Sequence, residues 1–137
     1  MIDTNVVLEP LRPCPDAQVI AWVDAQPLET LYLSVIAVAE LRTGLALLPN
    51  GKRKAVLHES LEATVLPMFS GRMLPFDMAC TQIYADLIAK ARMAGLAIAA
   101  ADGYIAAIAS ANRLTVATWD TGLFVAAGVA VVNPWQA

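Results

Sequence analysis

Histidine and cysteine are scarce in this chain, and each scarcity excludes a class of function. His58 is the only histidine, so a ribonuclease with two catalytic histidines is excluded, and Ser–His–Asp hydrolysis would depend on this single ring. Cys14 and Cys80 lie far apart with no CxxC pair. This spacing predicts two buried small hydrophobic side chains rather than a zinc or redox site.

Charge and long hydrophobic runs are also limited. The 137 residues carry a net charge of −3, which argues against a broad basic surface for tight nucleic-acid binding. Glu40 and Asp102 interrupt the two longest apolar runs, so neither reaches the roughly 18 residues that a membrane span requires. No basic segment precedes an apolar stretch at the start, as it would in a signal peptide. We therefore expect a single domain over residues 1–137, in the cytoplasm and without a membrane partner.

Short apolar runs alternate with helical patterns along the chain. Strands are predicted at residues 1–2, 31–33, 73–76, 114–118 and 129–132. Helices are predicted around 19–23 and over 35–48, 52–66, 77–94 and 102–112, with a helical turn within 120–127. Ser34 and Asp77 are favoured N-cap residues, and Gly95 is a stop signal. The alternation predicts an α/β domain with a mostly parallel sheet.

Three acidic residues stand in otherwise uncharged surroundings. Asp102 is the only charged residue from 93 to 112, and Asp120 is the only one from 114 to the C-terminus. Glu40 follows an uncharged stretch from 30 to 39, within an apolar helix. A buried carboxylate without a counter-ion is costly, and a bound divalent cation would supply the missing positive charge.

Each acid also has a plain structural interpretation. Asp102 suits a helix N-cap, and Asp120 suits an Asx turn before Gly122. Glu40 would then be an exposed helix residue. Asp3 with Asn5 suits a turn, because both side chains bond nearby backbone amides.

The predicted topology nevertheless favours convergence of the four acids. Asp3 and Asp120 follow strands, and the carboxyl ends of parallel strands form the crevice where ligands bind. Glu40 lies about two turns into the helix after the second predicted strand, and Asp102 heads a helix that packs on the same sheet. Four such carboxylates, with the Thr4 hydroxyl and Asn5 amide beside Asp3, suit Mg²⁺ or Mn²⁺. Two such ions can activate a water and stabilise the leaving oxygen of a phosphodiester.

The chain resembles the PIN-domain nucleases, and most closely the FitB-like branch of the toxins of VapBC-type toxin–antitoxin modules. The matching segments, in the family's order, are IDTNVVLEPLRP, SVIAVAELRTGLALLPNGKRK, YADLIAKARMAG, ADGYIAAIASANRLTVATWD and VVNPW. No single motif is specific, but the ordered set covers nearly the whole chain.

The resemblance implies a metal-dependent endoribonuclease with an α/β/α sandwich fold. It implies that Asp3, Glu40, Asp102 and Asp120 form the acidic site, as metal ligands and catalytic residues, with Asn5 and Thr118 in support. It also implies a homodimer that is inhibited by an antitoxin whose C-terminal tail enters the acidic groove. DNA would be contacted only indirectly, through the antitoxin.

This chain departs from the family pattern at two places. Fewer apolar residues than usual precede Asp3, so the first strand looks shortened. Trp119 stands where many relatives have arginine, which predicts altered contact with the RNA backbone or altered site selection without loss of a metal ligand.

Two other functions remain open from the residues. Asp3 could be the nucleophile of a phosphoryl-transfer protein, but such proteins need a downstream lysine. Lys90 is the last lysine in the chain, and no predicted strand ends in one. A catalytically inactive PIN-like binding module is the other alternative. Lys52, Arg53, Lys54 and Arg92 could lend positive charge to RNA, although a solvated helix face also accounts for the first three.

Overall fold

The centre of the protein is a set of very short parallel strands. The computed structural model describes residues 1–137. The strands are β1 (Leu33–Ser34), β2 (Met73–Leu74), β3 (Val116–Ala117) and β4 (Val131–Val132). β1 pairs with β2, and β3 pairs with β4, in both cases in parallel.

The N-terminal segment connects the two strand pairs. Ile2 forms an isolated parallel bridge with Ala117 of β3. The Ile2 N–H also donates to the carbonyl of Tyr32, just before β1, at 2.9 Å. Residues 1–3 therefore lie in the middle of the sheet, with β1 and β2 on one side and β3 and β4 on the other.

Helices surround this sheet and account for most of the chain. They are α1 (Thr4–Leu8), α2 (Ala17–Ala25), α3 (Val35–Ala46), α4 (Lys52–Glu59), α5 (Leu66–Met68), α6 (Met78–Met93), α7 (Ala100–Ala111) and α8 (Thr121–Ala126). A π-helical segment, Ser60–Val65, joins α4 to α5. Short 3₁₀ helices lie at Glu9–Leu11 and Leu28–Thr30.

The sheet separates two hydrophobic cores. Successive strand residues point to opposite faces, so Ile2 and Ala117 join one core while Met1 and Val116 join the other. The first core contains buried side chains of α1, α2 and α3, and the second is built largely on α6 and α7. Two helical layers on a parallel sheet make the predicted α/β/α sandwich.

Local chemistry sets several of the helix boundaries as predicted. The Ser34 hydroxyl accepts from the Ala37 N–H at 3.0 Å and begins α3. Asp77 Oδ1 accepts from the Cys80 N–H at 3.3 Å and begins α6. Gly95 has a positive φ of 74° after α6, a conformation that glycine adopts without strain. The predictions for these three residues are confirmed.

Other sequence-based expectations were wrong. Asp102 does not begin its helix, because α7 starts at Ala100 with Ala99 as N-cap, and Asp102 lies in the first turn. The chain also turns directly into α1 after Asp3, a helix that was not predicted. Cys14 is exposed rather than buried, whereas Cys80 is fully buried. β2, β3 and β4 are shorter than the predicted runs that contain them, whereas β1 begins at the end of its predicted run and extends one residue beyond it. The strand predicted at residues 1–2 is present only as an isolated bridge.

None of these helices combines the length and the apolar character that crossing a membrane would require.

The packing of α6 against α7 gives a test of the fold. A Cβ added at Gly103 would lie 2.8 Å from Cε2 of Tyr84, and the Tyr84 ring is itself packed against Tyr104 at 4.7 Å between centroids. We expect Gly103→Ala to lower the free energy of unfolding by about 1–3 kcal/mol through overpacking. Urea denaturation measures this change.

Gly44 provides the matched control, because it also lies within a helix but has nothing within 4 Å of an added Cβ. Gly44→Ala should raise the free energy of unfolding by about 0.5–1 kcal/mol. Equal effects of the two substitutions would contradict this description of the α6–α7 contact.

Candidate acidic active site

Asp3 is held in place by a hydrogen-bond network that spans the sheet. The Thr118 hydroxyl donates to Asp3 Oδ2 at 2.9 Å, and the Asn5 side-chain amide donates to the Thr118 oxygen at 3.1 Å and to Asp3 Oδ2 at 3.4 Å. Thr118 is fully buried and Asp3 is 9% exposed. The network therefore fixes a nearly buried carboxylate at the carboxyl end of the central strands.

The other oxygen of Asp3 begins the helix that follows. Asp3 Oδ1 accepts from the Thr4 N–H at 2.8 Å, so Asp3 is the N-cap of α1. The sequence suggested a turn at Asp3; its side chain does bond a nearby backbone amide, but it caps a helix. The Thr4 hydroxyl is 3.5 Å from the same oxygen.

The remaining three acids are brought to the site by different elements. Glu40 lies in the middle of α3 and is exposed; Asp102 lies in the first turn of α7 and is half-buried. Asp120 is exposed and is the N-cap residue of α8. Its backbone N–H donates to the Thr118 hydroxyl at 3.1 Å, so the same hydroxyl positions both Asp3 and Asp120.

Electrostatic effects link the four carboxylates. Although Glu40 is exposed as a residue, partial desolvation of its carboxylate raises its pKa above the ordinary value, and the negative charges of Asp3 and Asp102 raise it further. Burial also raises the pKa of Asp102, with further contributions from Asp3 and Asp120. The negative charges of all four carboxylates therefore act within one group.

No cationic side chain neutralises this group. The two salt bridges in the protein are Arg12 with Glu9 and Arg42 with Glu62. Although Arg42 is close to Glu40 in sequence, its guanidinium bonds both oxygens of Glu62, at 2.8 and 3.0 Å. The four carboxylates consequently have no protein counter-ion.

The donor set suits a hard cation, although the side chains do not form a closed coordination site. Carboxylate and hydroxyl oxygens are the ligands that Mg²⁺ and Mn²⁺ prefer. No three histidine, cysteine or acidic side chains are arranged in the structure so that they could hold a metal ion. The fold brings the charges within electrostatic range of one another without completing a ligand geometry.

The basic residues considered from the sequence lie elsewhere. Lys54 Nζ donates to the carbonyls of Ala46 and Leu48, at 3.1 and 3.3 Å, and therefore closes the end of α3. Lys52 and Arg53 are exposed at the start of α4. Lys52 and Arg53 therefore match the predicted solvated helix face, whereas Lys54 has a structural role at the end of α3.

One buried acid was missed by the sequence analysis. Glu9 is 2% exposed, and its carboxylate accepts from the Asp16 N–H at 2.8 Å and from Arg12 at 3.3 Å. It ties the Pro-rich loop to the start of α2. The basic residue three positions after Glu9 was the available signal, because acidic and basic residues at that spacing can pair.

Comparison with known proteins identifies the family. The PIN domain matches residues 1–129 of this chain. The plasmid stability protein StbB of Pseudomonas syringae pv. tomato is 61% identical over 100% of this chain and 99% of its own. Toxin FitB of Neisseria gonorrhoeae is 60% identical over 99% of this chain and 98% of its own. VapC ribonuclease Y4jK of Sinorhizobium fredii is 53% identical over 99% and 97%.

Solved structures of related proteins have the same fold as this chain. The crystal structure of FitAcB from Neisseria gonorrhoeae contains a chain that matches with a TM-score of 0.95 and 60% identity, over 99% of this chain and 98% of that one. A chain in the structure of FitAB bound to an IR36 DNA fragment matches with a TM-score of 0.95 and 57% identity, over 99% and 95%.

This chain belongs to the PIN-domain family, as a match over residues 1–129 and relatives of more than 50% identity show. Its close homologues are FitB and VapC toxins of VapBC-type toxin–antitoxin modules. The family and the α/β/α fold that the resemblance implied are therefore confirmed.

The Thr118 hydroxyl gives a first test of the site. Thr118→Val keeps the side-chain shape but removes the donor to Asp3 and the acceptor for the Asp120 N–H. We expect the free energy of unfolding to fall by about 1–3 kcal/mol, because buried polar groups lose their partners. Thr118→Ser keeps the hydroxyl and loses one methyl group, which costs about 1 kcal/mol. Urea denaturation measures both values. A free energy of unfolding for Thr118→Val that equals or exceeds that of Thr118→Ser would contradict the hydrogen-bond network.

Charge repulsion gives a second test. The pKa of Glu40 is raised in the folded state, so the free energy of unfolding falls as the pH rises through that pKa, and the repulsion persists at neutral pH. Without divalent cations, Glu40→Gln should raise the melting temperature at pH 7 by about 1–3 °C, a small change because solvent screens an exposed group.

Glu59→Gln is the control for this measurement, because Glu59 is an exposed helix residue outside the group. It should leave the melting temperature unchanged. A lower melting temperature for Glu40→Gln would show that Glu40 is not repelled by its neighbours.

Proposed function

We propose that this protein is a metal-dependent endoribonuclease that acts as the toxin of a type II toxin–antitoxin module. One observation carries the chemical part of this proposal: four carboxylates from separate elements repel one another and have no cationic partner. The names of FitB, a toxin, and of Y4jK, a VapC ribonuclease, support the biological part.

Asp3, Glu40, Asp102 and Asp120 are the residues that would hold Mg²⁺ or Mn²⁺. Their oxygen donors and uncompensated charge fit a divalent cation. A bound cation of this kind makes water more acidic and stabilises negative charge on a leaving phosphate oxygen.

The protein's own contribution is to position these groups before substrate binds. Asn5 and Thr118 hold Asp3 by hydrogen bonds, and the backbone beside Thr4 fixes the rotation of its carboxylate. One of the four carboxylates would also act as the general base that accepts a proton from the attacking water. The substrate would be an RNA phosphodiester in a single-stranded loop, where the chain is accessible.

The partners follow from the same proposal. We propose that a small antitoxin inhibits the protein and that DNA is contacted through that antitoxin. This is supported by FitAB bound to a DNA fragment, in which a homologous chain occurs. The net charge of −3 also suits a protein that does not bind DNA by itself. A homodimer in the cytoplasm, where RNA and antitoxin are made, completes the proposal.

Removing one carboxylate tests the proposed function. The wild type should cleave single-stranded RNA with Mg²⁺ or Mn²⁺ and lose this activity in EDTA. Asp102→Asn should reduce cleavage by at least about 100-fold, because losing even an outer-shell partner of a metal costs 10- to 100-fold. Mn²⁺ should also raise the melting temperature of the wild type but not of Asp102→Asn, which gives a readout independent of activity.

The control is Asp24→Asn, an exposed position on α2 away from the acidic group. It should match the wild type in both measurements. Activity that is indifferent to EDTA, or equal in the wild type and Asp102→Asn, would sink the metal-nuclease hypothesis.

A further inference from the structure

An exposed tryptophan lies directly beside the acidic group. Trp119 lies between Thr118 and Asp120 in the sequence and is 61% exposed. A large aromatic side chain is costly to leave in water. Because Trp119 adjoins two residues of the acidic site, its exposure suggests a role in binding at that site.

Trp119 lines a defined cavity rather than a flat surface. The cavity has a volume of about 310 Å³ and is lined by Asn5, Leu8, Glu9, Arg12, Trp119 and Trp135. Asn5 also donates to Asp3 Oδ2. Asn5 therefore lines the cavity and also contacts Asp3 of the acidic group.

Trp119 makes one backbone contact and one ring contact with its neighbours. Its backbone N–H donates to Asn5 Oδ1 at 3.4 Å. Trp135, which packs against the first hydrophobic core, lies 5.9 Å from Trp119 between ring centroids, with the rings tilted by 43°. The backbone of Trp135 is tied in turn to Asn133 at 2.9 Å. Contacts with Asn5 and Trp135 therefore hold Trp119 in place while most of its surface stays exposed.

The charged residues that line the cavity are Arg12 and Glu9. The Arg12 side chain is 62% exposed, and its guanidinium bonds only Glu9, at 3.3 Å. Glu9 is anchored by the Asp16 N–H, so it holds the guanidinium at the edge of the cavity. Arg12 still has donors available for a phosphate oxygen.

We propose that Trp119, braced by Trp135, forms a base-stacking subsite for a nucleotide of single-stranded RNA next to the cleaved phosphate, with Arg12 contacting its backbone. This proposal rests on the proposed function. Aromatic side chains beside a cation are the usual combination for binding single strands, and stacking accepts any base. Paired RNA cannot use the subsite, because its bases are stacked on one another.

Binding can be measured separately from cleavage. Trp22→Phe leaves Trp119 and Trp135 as the only indole reporters, and adding Asp102→Asn prevents turnover. The probe is a single-stranded oligoribonucleotide of mixed sequence, about 10 nucleotides long. It should quench the tryptophan fluorescence, and the same sequence in a duplex should not.

Substitutions of Trp119 in this background then test the subsite. Trp119→Ala should weaken Kd by about 5- to 100-fold, the range for loss of one stacked base, whereas Trp119→Phe should retain most of the affinity. Val125→Ala is the matched control, because Val125 is 60% exposed and lies on the adjacent helix α8. It should bind like the parent chain.

Cleavage by the otherwise wild-type chain separates this proposal from the proposed function. Trp119→Ala should raise KM for single-stranded RNA with little change in kcat. If the wild type cleaves RNA and Trp119→Ala changes neither Kd nor KM, the proposed subsite is wrong and the proposed nuclease function stands. If the wild type does not cleave but quenching by single-stranded RNA depends on Trp119, the subsite stands without the nuclease. Loss of antitoxin binding or of self-association alone in Trp119→Ala would overturn the subsite in favour of a protein interface.

Discussion

The hydrogen bond from the buried Thr118 hydroxyl to the Asp3 carboxylate is the contact on which the arrangement of this protein most depends. It joins the N-terminal segment to the residue that follows β3, at the carboxyl end of a parallel sheet. The same hydroxyl accepts from the Asp120 N–H. One buried oxygen therefore sets the positions of two acids that are far apart in sequence, and Asp3 in turn begins α1.

The carboxylates of the acidic group repel one another, and a bound cation would reduce this repulsion. Desolvation and mutual repulsion raise the pKa values of Glu40 and Asp102. Neither residue forms a salt bridge, since the two salt bridges of the protein are Arg12 with Glu9 and Arg42 with Glu62. A domain that placed these acids only for stability would have given them counter-ions or replaced them. The unfavourable electrostatics are consistent with a site selected to bind cations, as the proposed nuclease requires.

Local signals in the sequence predicted some features well and others poorly. Ser34 and Asp77 were recognisable as helix caps because capping depends on neighbouring backbone amides. Asp102 misled because an acid suits the first turn as well as the cap, and only the path of the chain through Ala99 decides between them. The four acids of the candidate site were noticeable from their uncharged surroundings, but the Asn5–Thr118 bond joins residues 113 positions apart and needs the fold.

We propose that Asp3, Glu40, Asp102 and Asp120 share one divalent-cation site. Crystals of the wild-type protein grown or soaked with Mn²⁺, measured for anomalous scattering, test it most directly. We expect an anomalous peak with carboxylate oxygens of this group at about 2.0–2.2 Å. A well-occupied Mn²⁺ site elsewhere, with no peak among these four carboxylates, would contradict it.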